Sequence, residues 1–350
     1  MSDAAPSPGL TVAVTGPTGE IGLAFLRALE RSDAVAEVRG MARRPFDPGS
    51  QGLTKTEYVQ GDVLDREAVE RLVEGADVVV HLAFLIFGDP AQSREINLTG
   101  SRHVFEATAA SGAKRLVYTS SVAAYGFHAS NPLPLHEDLG PAGTEDFYYS
   151  AQKAELEATL QEALAGTSVA AYVFRPSIVG GPESPALVTN VPYLGTPSAL
   201  PTVLRGLVDR LPQPGPVIMD PGTPLQIVHA DDVADALVSA VEGKGAPGYY
   251  NLAAEGEFTF SDLARELGWR SVPVPDLAVD VTAELVKRLP AMPSQTAWIQ
   301  TARVPVTMDT TRAREVLGWR PRYDALSTLR ATVQGARDAG LVTRTGRTGA

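Results

Sequence analysis

A tyrosine and a lysine lie four residues apart in the stretch FYYSAQKAELE, residues 147–157. If this stretch is a helix, Tyr149 and Lys153 share one face and their polar ends can converge on one point. A phenol has a pKa of about 10 and exchanges protons poorly at neutral pH. An ammonium about 5 Å away, at an effective dielectric constant of about 20, lowers that pKa by roughly two units. The pair is therefore a candidate for proton exchange with a substrate oxygen; the alternative is an ordinary exposed helix.

Two serines at the end of a predicted strand supply a further candidate. The run RLVYTSSVAAYG, residues 115–126, is typical of a strand that ends near Ser120 and Ser121. Either hydroxyl can donate a hydrogen bond to the substrate oxygen while Tyr149 transfers the proton. The alternative is that both hydroxyls only satisfy backbone groups at the strand end.

A glycine-rich turn, within LTVAVTGPTGEIG at residues 10–22, joins a short apolar strand to a helix. Its three glycines are spaced three apart, which allows a tight turn, close backbone approach to a ligand and close helix packing. The first N–H groups of the helix would then point at an anion such as a pyrophosphate. The predicted cofactor contacts in this turn are Gly16, Thr18, Gly19, Glu20, Ile21 and Gly22. The alternative is a strand-to-helix turn without a ligand.

The second predicted strand ends in VRGMARRP, residues 38–45. Units that prefer NAD usually carry an acidic residue here for the ribose 2′-hydroxyl. Arg43 can instead pair with a 2′-phosphate. NADP is therefore the expected cofactor and NAD the alternative, unless Arg43 and Arg44 are only solvated surface charges.

The third and fourth predicted strands carry further candidate contacts. Asp62 and Val63 lie where a carboxylate and a neighbouring backbone group could bind the adenine amine, although Asp62 could also cap the helix from Arg66. Leu82 and Ala83 are small and apolar enough for a cofactor to lie flat against them.

Composition limits the classes of function. The 350 residues carry a formal net charge of −11, which argues against sequence-independent binding to nucleic acid or an anionic membrane. No stretch approaches the roughly 20 apolar residues of a membrane span. Cysteine is absent, which excludes thiolate chemistry. The histidines show no ligand spacing, so we expect no metal, and we expect a cytoplasmic protein.

Apolar strand-like runs alternate with amphipathic helices from Leu10 to Phe174, which predicts an α/β fold with a doubly wound parallel sheet. The predicted strands are Leu10–Thr15, Glu37–Met41, Glu57–Gln60, Asp77–Leu82, Arg115–Ser120 and Ser168–Phe174. The predicted helices lie near Glu20–Glu30, Arg66–Val73, Ser93–Ala110 and Phe147–Leu164, and then at Asp231–Glu242, Phe260–Leu267, Val281–Leu289, Thr311–Leu317 and Ala325–Ala339. The predicted divisions are a disordered start at 1–9, a dinucleotide domain at 10–175, a smaller mixed α/β substrate domain at 176–340 and a disordered tail at 341–350. A segment at about 217–252 could return to the first domain.

These segments, taken in order, resemble the extended short-chain dehydrogenase/reductases, also called the NAD-dependent epimerase/dehydratase family. The resemblance runs from Thr11 to about Leu329. It rests on TGPTGEIG (15–22), GDVLD (61–65), HLAF (81–84), INLTGS (96–101), YTSSVAAYG (118–126), YYSAQK (148–153), FRPSIVGGP (174–182) and HADDVADAL (229–237). VRGMARRP is similar to the VRxxxRxP stretch of the dihydroflavonol and cinnamoyl-CoA reductase branch, where the arginine receives the 2′-phosphate.

The resemblance implies a Rossmann-type first domain that binds a nicotinamide dinucleotide. It implies Tyr149 as the acid/base with Lys153 as its partner, and Ser121 as the catalytic serine from its spacing to Tyr125. It also implies Asn97 as a helix asparagine that sets helix geometry or holds a water. Further implied cofactor contacts are Ser120, Lys153, Pro176 and Ile178. A homodimer through Ser93–Ala110 and Phe147–Leu164 is suggested.

The expected function is hydride transfer between nicotinamide C4 and a ketone or secondary alcohol of modest polarity. Sugar-nucleotide members usually carry an Arg-Asp pair where this chain has Leu225 and Gln226, which removes a clamp for a diphosphate. Arg205 and Arg210 remain as charges that could bind an anionic substrate. The alternatives are a nucleotide-sugar 4-epimerase or dehydratase with tightly bound NAD, and a catalytically silent dinucleotide sensor.

Overall fold

The computed structural model describes residues 9–86, 90–191, 216–273 and 304–347. The predicted helix at Val281–Leu289, and both Arg205 and Arg210, lie outside the described residues. None of the helices in the described ranges is long and apolar enough to cross a membrane.

The chain alternates strands and helices through its first half. The strands are β1 Leu10–Thr15, β2 Val35–Ala42, β3 Thr56–Gln60, β4 Val78–His81, β5 Arg115–Thr119, β6 Ala170–Pro176, β7 Ile178–Gly180, β8 Val217–Asp220, β9 Ile227–His229, β10 Gly248–Leu252, β11 Arg270–Pro273, β12 Val342–Thr343 and β13 Gly346–Arg347. The α-helices are α1 Glu20–Glu30, α2 Arg66–Val73, α3 Pro90–Arg94, α4 Gly100–Ser111, α5 Tyr148–Leu164, α6 Ala186–Asn190, α7 Ala230–Val241, α8 Phe260–Leu267, α9 Thr311–Val316 and α10 Ala325–Asp338.

Seven parallel strands form the central sheet in the order β10-β6-β5-β4-β1-β2-β3. Side chains alternate across it, so Val12 and Val14 pack on one face while Ala13 packs on the other. The first face is covered by α1 and α7, and the second by α2, α4 and α5. The predicted doubly wound α/β fold is confirmed. Because the strands are parallel, all their carboxyl ends meet at one edge of the sheet.

A π-helical turn, Glu95–Thr99, joins α3 to α4. Asn97 lies in this turn and is 1% exposed. Its Oδ1 accepts a hydrogen bond from the Leu85 N–H (2.8 Å), and its Nδ2 donates to Gln152 Oε1 (2.8 Å). The side chain therefore ties the loop after β4 to α5, where Tyr149 and Lys153 lie.

A smaller unit has its own apolar core, formed by α8, α10 and the strands beside them, with Phe258, Leu263 and Leu329 fully or almost fully buried. β8 pairs with β11 and β7 pairs with β9 in separate small sheets. Of the segment that could return to the first domain, β10 lies in the central sheet and α7 packs on α1, whereas β8 lies in the smaller unit.

The tail is partly ordered. β12 and β13 form an antiparallel hairpin, Val342 is 3% exposed, and the Trp269 Nε1–H donates to the Thr343 carbonyl (2.9 Å). The structure thus places residues 342–347, within the stretch 341–350 that is predicted to be disordered, in this hairpin. Its polar composition did not reveal a contact with a distant tryptophan.

Candidate active site

Tyr149 and Ser121 meet at the carboxyl edge of the sheet. Tyr149 lies in the first turn of α5, and the Ser121 hydroxyl hydrogen-bonds its phenol. Ser121 precedes a short 3-10 helix, Val122–Tyr125, and its Oγ accepts from the Ala123 N–H (3.1 Å), which fixes the side chain. A substrate oxygen at this position could contact a hydroxyl and a phenol together.

Ser120 has a different partner. The residue is 3% exposed, and its hydroxyl donates a hydrogen bond to Glu157 Oε1 (2.6 Å). Of the two candidate serines, Ser121 is thus the one that reaches Tyr149. The Ser120 hydroxyl proton is thus donated within the protein, and the predicted cofactor contact of Ser120 stays a prediction.

Lys153 lies one helical turn after Tyr149 and is 3% exposed. Its Nζ donates to the Thr119 carbonyl (2.9 Å) and lies 3.9 Å from the centroid of the Phe84 ring. The Phe84 ring also contacts the Tyr149 ring edge-on at 5.5 Å between centroids. Burial lowers the pKa of Lys153 to about 7, although the charge of Glu157 acts in the opposite direction.

The pKa of Tyr149 does not move in the direction that the sequence predicts. Burial raises it to about 12, and the hydrogen bond with Ser121 offsets only part of that rise. Charge proximity alone predicts an acidified phenol, but burial also removes the water that would stabilise a phenolate. The predicted acidification by Lys153 is therefore wrong for the protein alone, and at neutral pH the phenol is a proton donor.

His81 is a core residue beneath this edge. Its Nδ1 pairs with Thr15 Oγ1 (2.6 Å) and its Nε2 with Ser101 Oγ (2.8 Å). Burial first, and the charge of Lys153 second, lower the pKa of His81 to about 3. The imidazole is therefore neutral and fully paired.

The glycine-rich turn lies against the end of β4. Gly16 has a φ of +74°, and a Cβ there would lie 2.6 Å from the Ala83 nitrogen. A Cβ on Gly22 would lie 2.4 Å from the Gly16 carbonyl oxygen. At Gly19 the nearest atom to a Cβ is the Gly16 oxygen at 3.4 Å, and no side chain caps α1. The first-turn N–H groups of α1 are thus available to an anion.

Other predicted contacts in the turn have protein partners. The Thr18 carbonyl accepts from Arg44 Nη2 (2.6 Å). The Glu20 carboxylate accepts from the Ala186 N–H (3.2 Å), and burial raises the pKa of Glu20 to about 7. Ile21, partly buried, packs on the core beneath α1. The Glu20 carboxylate and the Ile21 side chain therefore contact other parts of the protein, and the first-turn N–H groups of α1 remain the candidate ligand contacts of this turn.

Arg43 follows β2 and is exposed. Its carbonyl accepts from Gln60 Nε2 (2.8 Å), and the neighbouring carbonyls of Ala42 and Arg44 accept from Tyr58. These bonds fix the backbone and leave the Arg43 guanidinium at the surface. An exposed guanidinium can pair with an anionic group such as a phosphate.

The contacts predicted after β3 and β4 lie along the same edge. Asp62 Oδ1 accepts from the Leu64 N–H (3.0 Å), whereas Asp65 caps α2 by accepting from the Ala68 N–H (3.1 Å). The alternative that Asp62 is the helix cap is therefore wrong. Leu82 donates its N–H to the Thr15 carbonyl (3.1 Å), directly before the glycine-rich turn. The Val63 carbonyl accepts from His103 Nδ1 (3.0 Å).

Two buried hydroxyls at this edge, Thr119 Oγ1 and Ser177 Oγ, have no hydrogen-bond partner within the described ranges. Thr119 ends β5, and Ser177 separates Pro176, the last residue of β6, from Ile178, the first of β7. Buried polar groups are normally paired. Together with the uncapped start of α1, these hydroxyls fit a polar ligand that runs along the carboxyl edge from the glycine-rich turn towards Tyr149.

The family model for the NAD-dependent epimerase/dehydratase family matches residues 12–253. The chain belongs to this family. It is an enzyme of the NAD-dependent extended short-chain dehydrogenase/reductase class.

Relatives span most of its length. An uncharacterized protein of Sinorhizobium fredii is 27% identical over 325 residues, which cover 89% of this chain and 75% of the relative. A 3-diazoavenalumate denitrifying reductase of a Streptomyces species is 29% identical over 332 residues, covering 90% of this chain and 97% of the relative. The crystal structure of UDP-glucose 4-epimerase from Thermotoga maritima is 22% identical, with a TM-score of 0.68 over 94% of this chain and 99% of that one. This likeness shows the shared fold.

Three residues of this family member lie at the site although the sequence reasoning did not select them. Phe84 packs against both Lys153 and Tyr149. Glu157 and Arg175 form a buried ion pair behind Ser120. A signal existed for the pair, since Glu157 continues the four-residue spacing of Tyr149 and Lys153, and Arg175 is a charge at the end of an apolar strand.

Proposed function

We propose that the protein is an NADPH-dependent carbonyl reductase, which transfers hydride to a ketone or another electrophilic, aromatic or apolar substrate of modest polarity. The observation that carries the proposal is the Ser121–Tyr149 hydrogen bond beside Lys153, at the carboxyl edge that also holds the glycine-rich turn. Bound NADPH would supply the hydride from nicotinamide C4.

The side chains have separate roles in this proposal. Tyr149, protonated at neutral pH, gives its proton to the oxygen of the reduced carbonyl. Ser121 holds that oxygen through its hydroxyl, and Lys153 binds the ribose hydroxyls of the cofactor. Reprotonation of Tyr149 from solvent completes the cycle.

The preference for NADP rests on the end of β2. Arg43 places an exposed guanidinium there, and Arg44 braces the glycine-rich turn at the Thr18 carbonyl. An arginine can bind a 2′-phosphate through two parallel hydrogen bonds. NAD remains the alternative cofactor.

The substrate class rests on the surroundings of Tyr149. The rings of Phe84 and Phe147 pack against Tyr149, with centroids 5.5 and 5.9 Å from that of Tyr149, and the Tyr148 ring packs in turn against Phe147. Leu225, at the position of the arginine that sugar-nucleotide members carry, is a buried apolar residue, and the neighbouring Gln226 accepts a hydrogen bond from the Met308 N–H (2.8 Å). An apolar substrate suits these surroundings better than a nucleotide diphosphate. The Streptomyces relative is named as a reductase, which agrees with a proposed reduction rather than an oxidation.

The test is a screen of aryl and alkyl ketones with NADPH and NADH. Tyr149→Phe should lower kcat by at least about a hundredfold while NADPH affinity is retained. Tyr148→Phe is the matched control, because that phenol instead donates to the Ile86 carbonyl (2.5 Å). Equal turnover of wild type and Tyr149→Phe would reject the mechanism.

A nucleotide-sugar 4-epimerase or dehydratase is the rival within the family. That activity re-reduces its cofactor in place, so it would convert UDP-sugars with no net change in NADPH or NADH absorbance. The same screen includes UDP-glucose and UDP-glucuronic acid. Conversion without a net absorbance change would replace the reductase proposal.

A further inference from the structure

A bidentate ion pair lies behind the candidate active site. Arg175 Nη2 and Nε donate to Glu157 Oε2 (2.6 Å) and Oε1 (2.9 Å), and the two side chains are 1% and 0% exposed. Arg175 also donates to the Leu139 carbonyl (3.1 Å) and lies over the Tyr125 ring at 4.3 Å. Both charges are therefore completely removed from water.

Such a pair does not stabilise a fold efficiently. The cost of desolvating two charges commonly equals or exceeds their attraction, and apolar residues of similar volume often replace such pairs without loss of stability. The position of this pair offers another explanation.

Glu157 makes its contacts in two directions. It accepts the Ser120 hydroxyl (2.6 Å), which fixes the strand end immediately before Ser121. It also continues the row Tyr149–Lys153–Glu157, in which each residue lies one turn after the last on the same face of α5. Glu157 thus contacts Ser120, the neighbour of Ser121, and lies on the same face of α5 as Lys153.

The surroundings of Lys153 show why a counter-charge matters. β5 contributes the Thr119 carbonyl and the Tyr118 phenol (3.5 Å), and the region after β4 contributes the Phe84 ring. The facing His81 is neutral. Burial disfavours the ammonium, and the charge of Glu157 favours it. Within the described ranges, Glu157 is the carboxylate that acts on Lys153.

We propose that Glu157 is a positioning residue, held by Arg175, that orients Ser121 through Ser120 and favours the charged form of Lys153. The importance of Glu157 for catalysis rests on the proposed function. Its effects on Ser121 and Lys153 involve only residues of this chain, so they are testable without a substrate.

The first experiment follows the five lysines of the chain by NMR of selectively labelled protein without cofactor. Lys153→Arg identifies the Lys153 signal by its loss. Glu157→Gln should lower the pH midpoint of the Lys153 titration by about one pH unit or more. An unchanged midpoint in folded Glu157→Gln protein would overturn the proposal.

The second variant removes a confounding charge. Glu157→Gln leaves Arg175 buried and unpaired, which could itself repel Lys153 or unfold the protein. Glu157→Gln/Arg175→Met removes both charges and should retain the fold. A midpoint that stays low in the double variant supports the proposal. A return to the wild-type value shows that the pair is only structural.

A pH profile then connects this result to catalysis. If the reductase activity is present, the high-pH limb of kcat/KM should move to lower pH in the double variant, and kcat should fall more than KM rises. If no carbonyl is reduced, the proposed function fails while the lysine titration still decides the role of Glu157. The two failures are therefore distinguishable.

Discussion

Ser121 hydrogen-bonds Tyr149, whereas the adjacent Ser120 points away and donates to Glu157 at 2.6 Å. Adjacent residues of an extended backbone point to opposite sides, so Ser121 faces the ligand edge and Ser120 faces the buried ion pair. Replacing each serine by alanine should therefore lower kcat to different extents.

Ser121→Ala should lower kcat by about a hundredfold to a thousandfold, as for the loss of one preorganised donor to a reacting oxygen. Dinucleotide affinity should stay within about twofold, because the backbone of the strand end is retained. Ser120→Ala is the matched comparison and should lower kcat by only about tenfold, through the position of its neighbour. Steady-state kinetics and cofactor titration measure both. Equal losses at the two serines would contradict the assignment.

Arg43→Ala should weaken NADPH binding by roughly tenfold to a hundredfold, which corresponds to one charged hydrogen-bond pair. NADH affinity should be nearly unchanged, because NADH has an uncharged 2′-hydroxyl where NADPH has the 2′-phosphate that pairs with the guanidinium. Arg44→Ala is the comparison: Arg44 supports the Thr18 carbonyl, so both cofactors should weaken together. Fluorescence titration with both cofactors separates the cases. Parallel losses for NADPH and NADH in Arg43→Ala would remove Arg43 from cofactor selection.

Alanine substitutions at two glycines of the turn should separate an effect on protein stability from an effect on dinucleotide binding. Gly22→Ala places a methyl group 2.4 Å from the Gly16 oxygen, so it should destabilise the protein by about 1–3 kcal/mol. Gly19→Ala meets that oxygen at 3.4 Å and should leave the melting temperature nearly unchanged. It should nevertheless weaken dinucleotide binding, because its methyl group lies where the backbone approaches the pyrophosphate. Retained affinity in folded Gly19→Ala would place the ligand elsewhere.

Local signals account for what the sequence predicts well. The helices Glu20–Glu30 and Arg66–Val73 have the predicted bounds, since one follows a glycine-rich turn and the other follows the capping Asp65. The sheet follows from alternating patterns that repeat along the chain. The placement of Ser121 beside Tyr149 agrees with a spacing visible in the sequence.

Long-range contacts account for what the sequence does not predict. The π turn at Glu95–Thr99 contains Asn97, whose partners lie in the loop after β4 and in α5. The direction of the Tyr149 pKa depends on burial, which the spacing of charges does not reveal. The Glu157–Arg175 pair forms only when α5 packs against β6.

Glu20 gives a pH-dependent prediction for stability. It lies in the first turn of α1, its carboxylate accepts from the Ala186 N–H, and burial raises its pKa from 4.5 to about 7. Because the folded-state pKa is the higher one, the stabilising contribution of this group is complete below about pH 4.5 and is lost as the pH rises through 7. Above neutral pH, the buried and ionised Glu20 therefore lowers the free energy of unfolding.

Glu20→Gln keeps the shape and removes that titration. The melting temperature of the variant, relative to wild type, should therefore rise between pH 5 and pH 8, by a few degrees at most. Glu67→Gln is the control, because Glu67 also lies in the first turn of a helix but its side chain is 84% exposed. Thermal unfolding followed by circular dichroism at the two pH values provides the comparison. A relative melting temperature that is the same at both pH values would show that Glu20 does not titrate in this window.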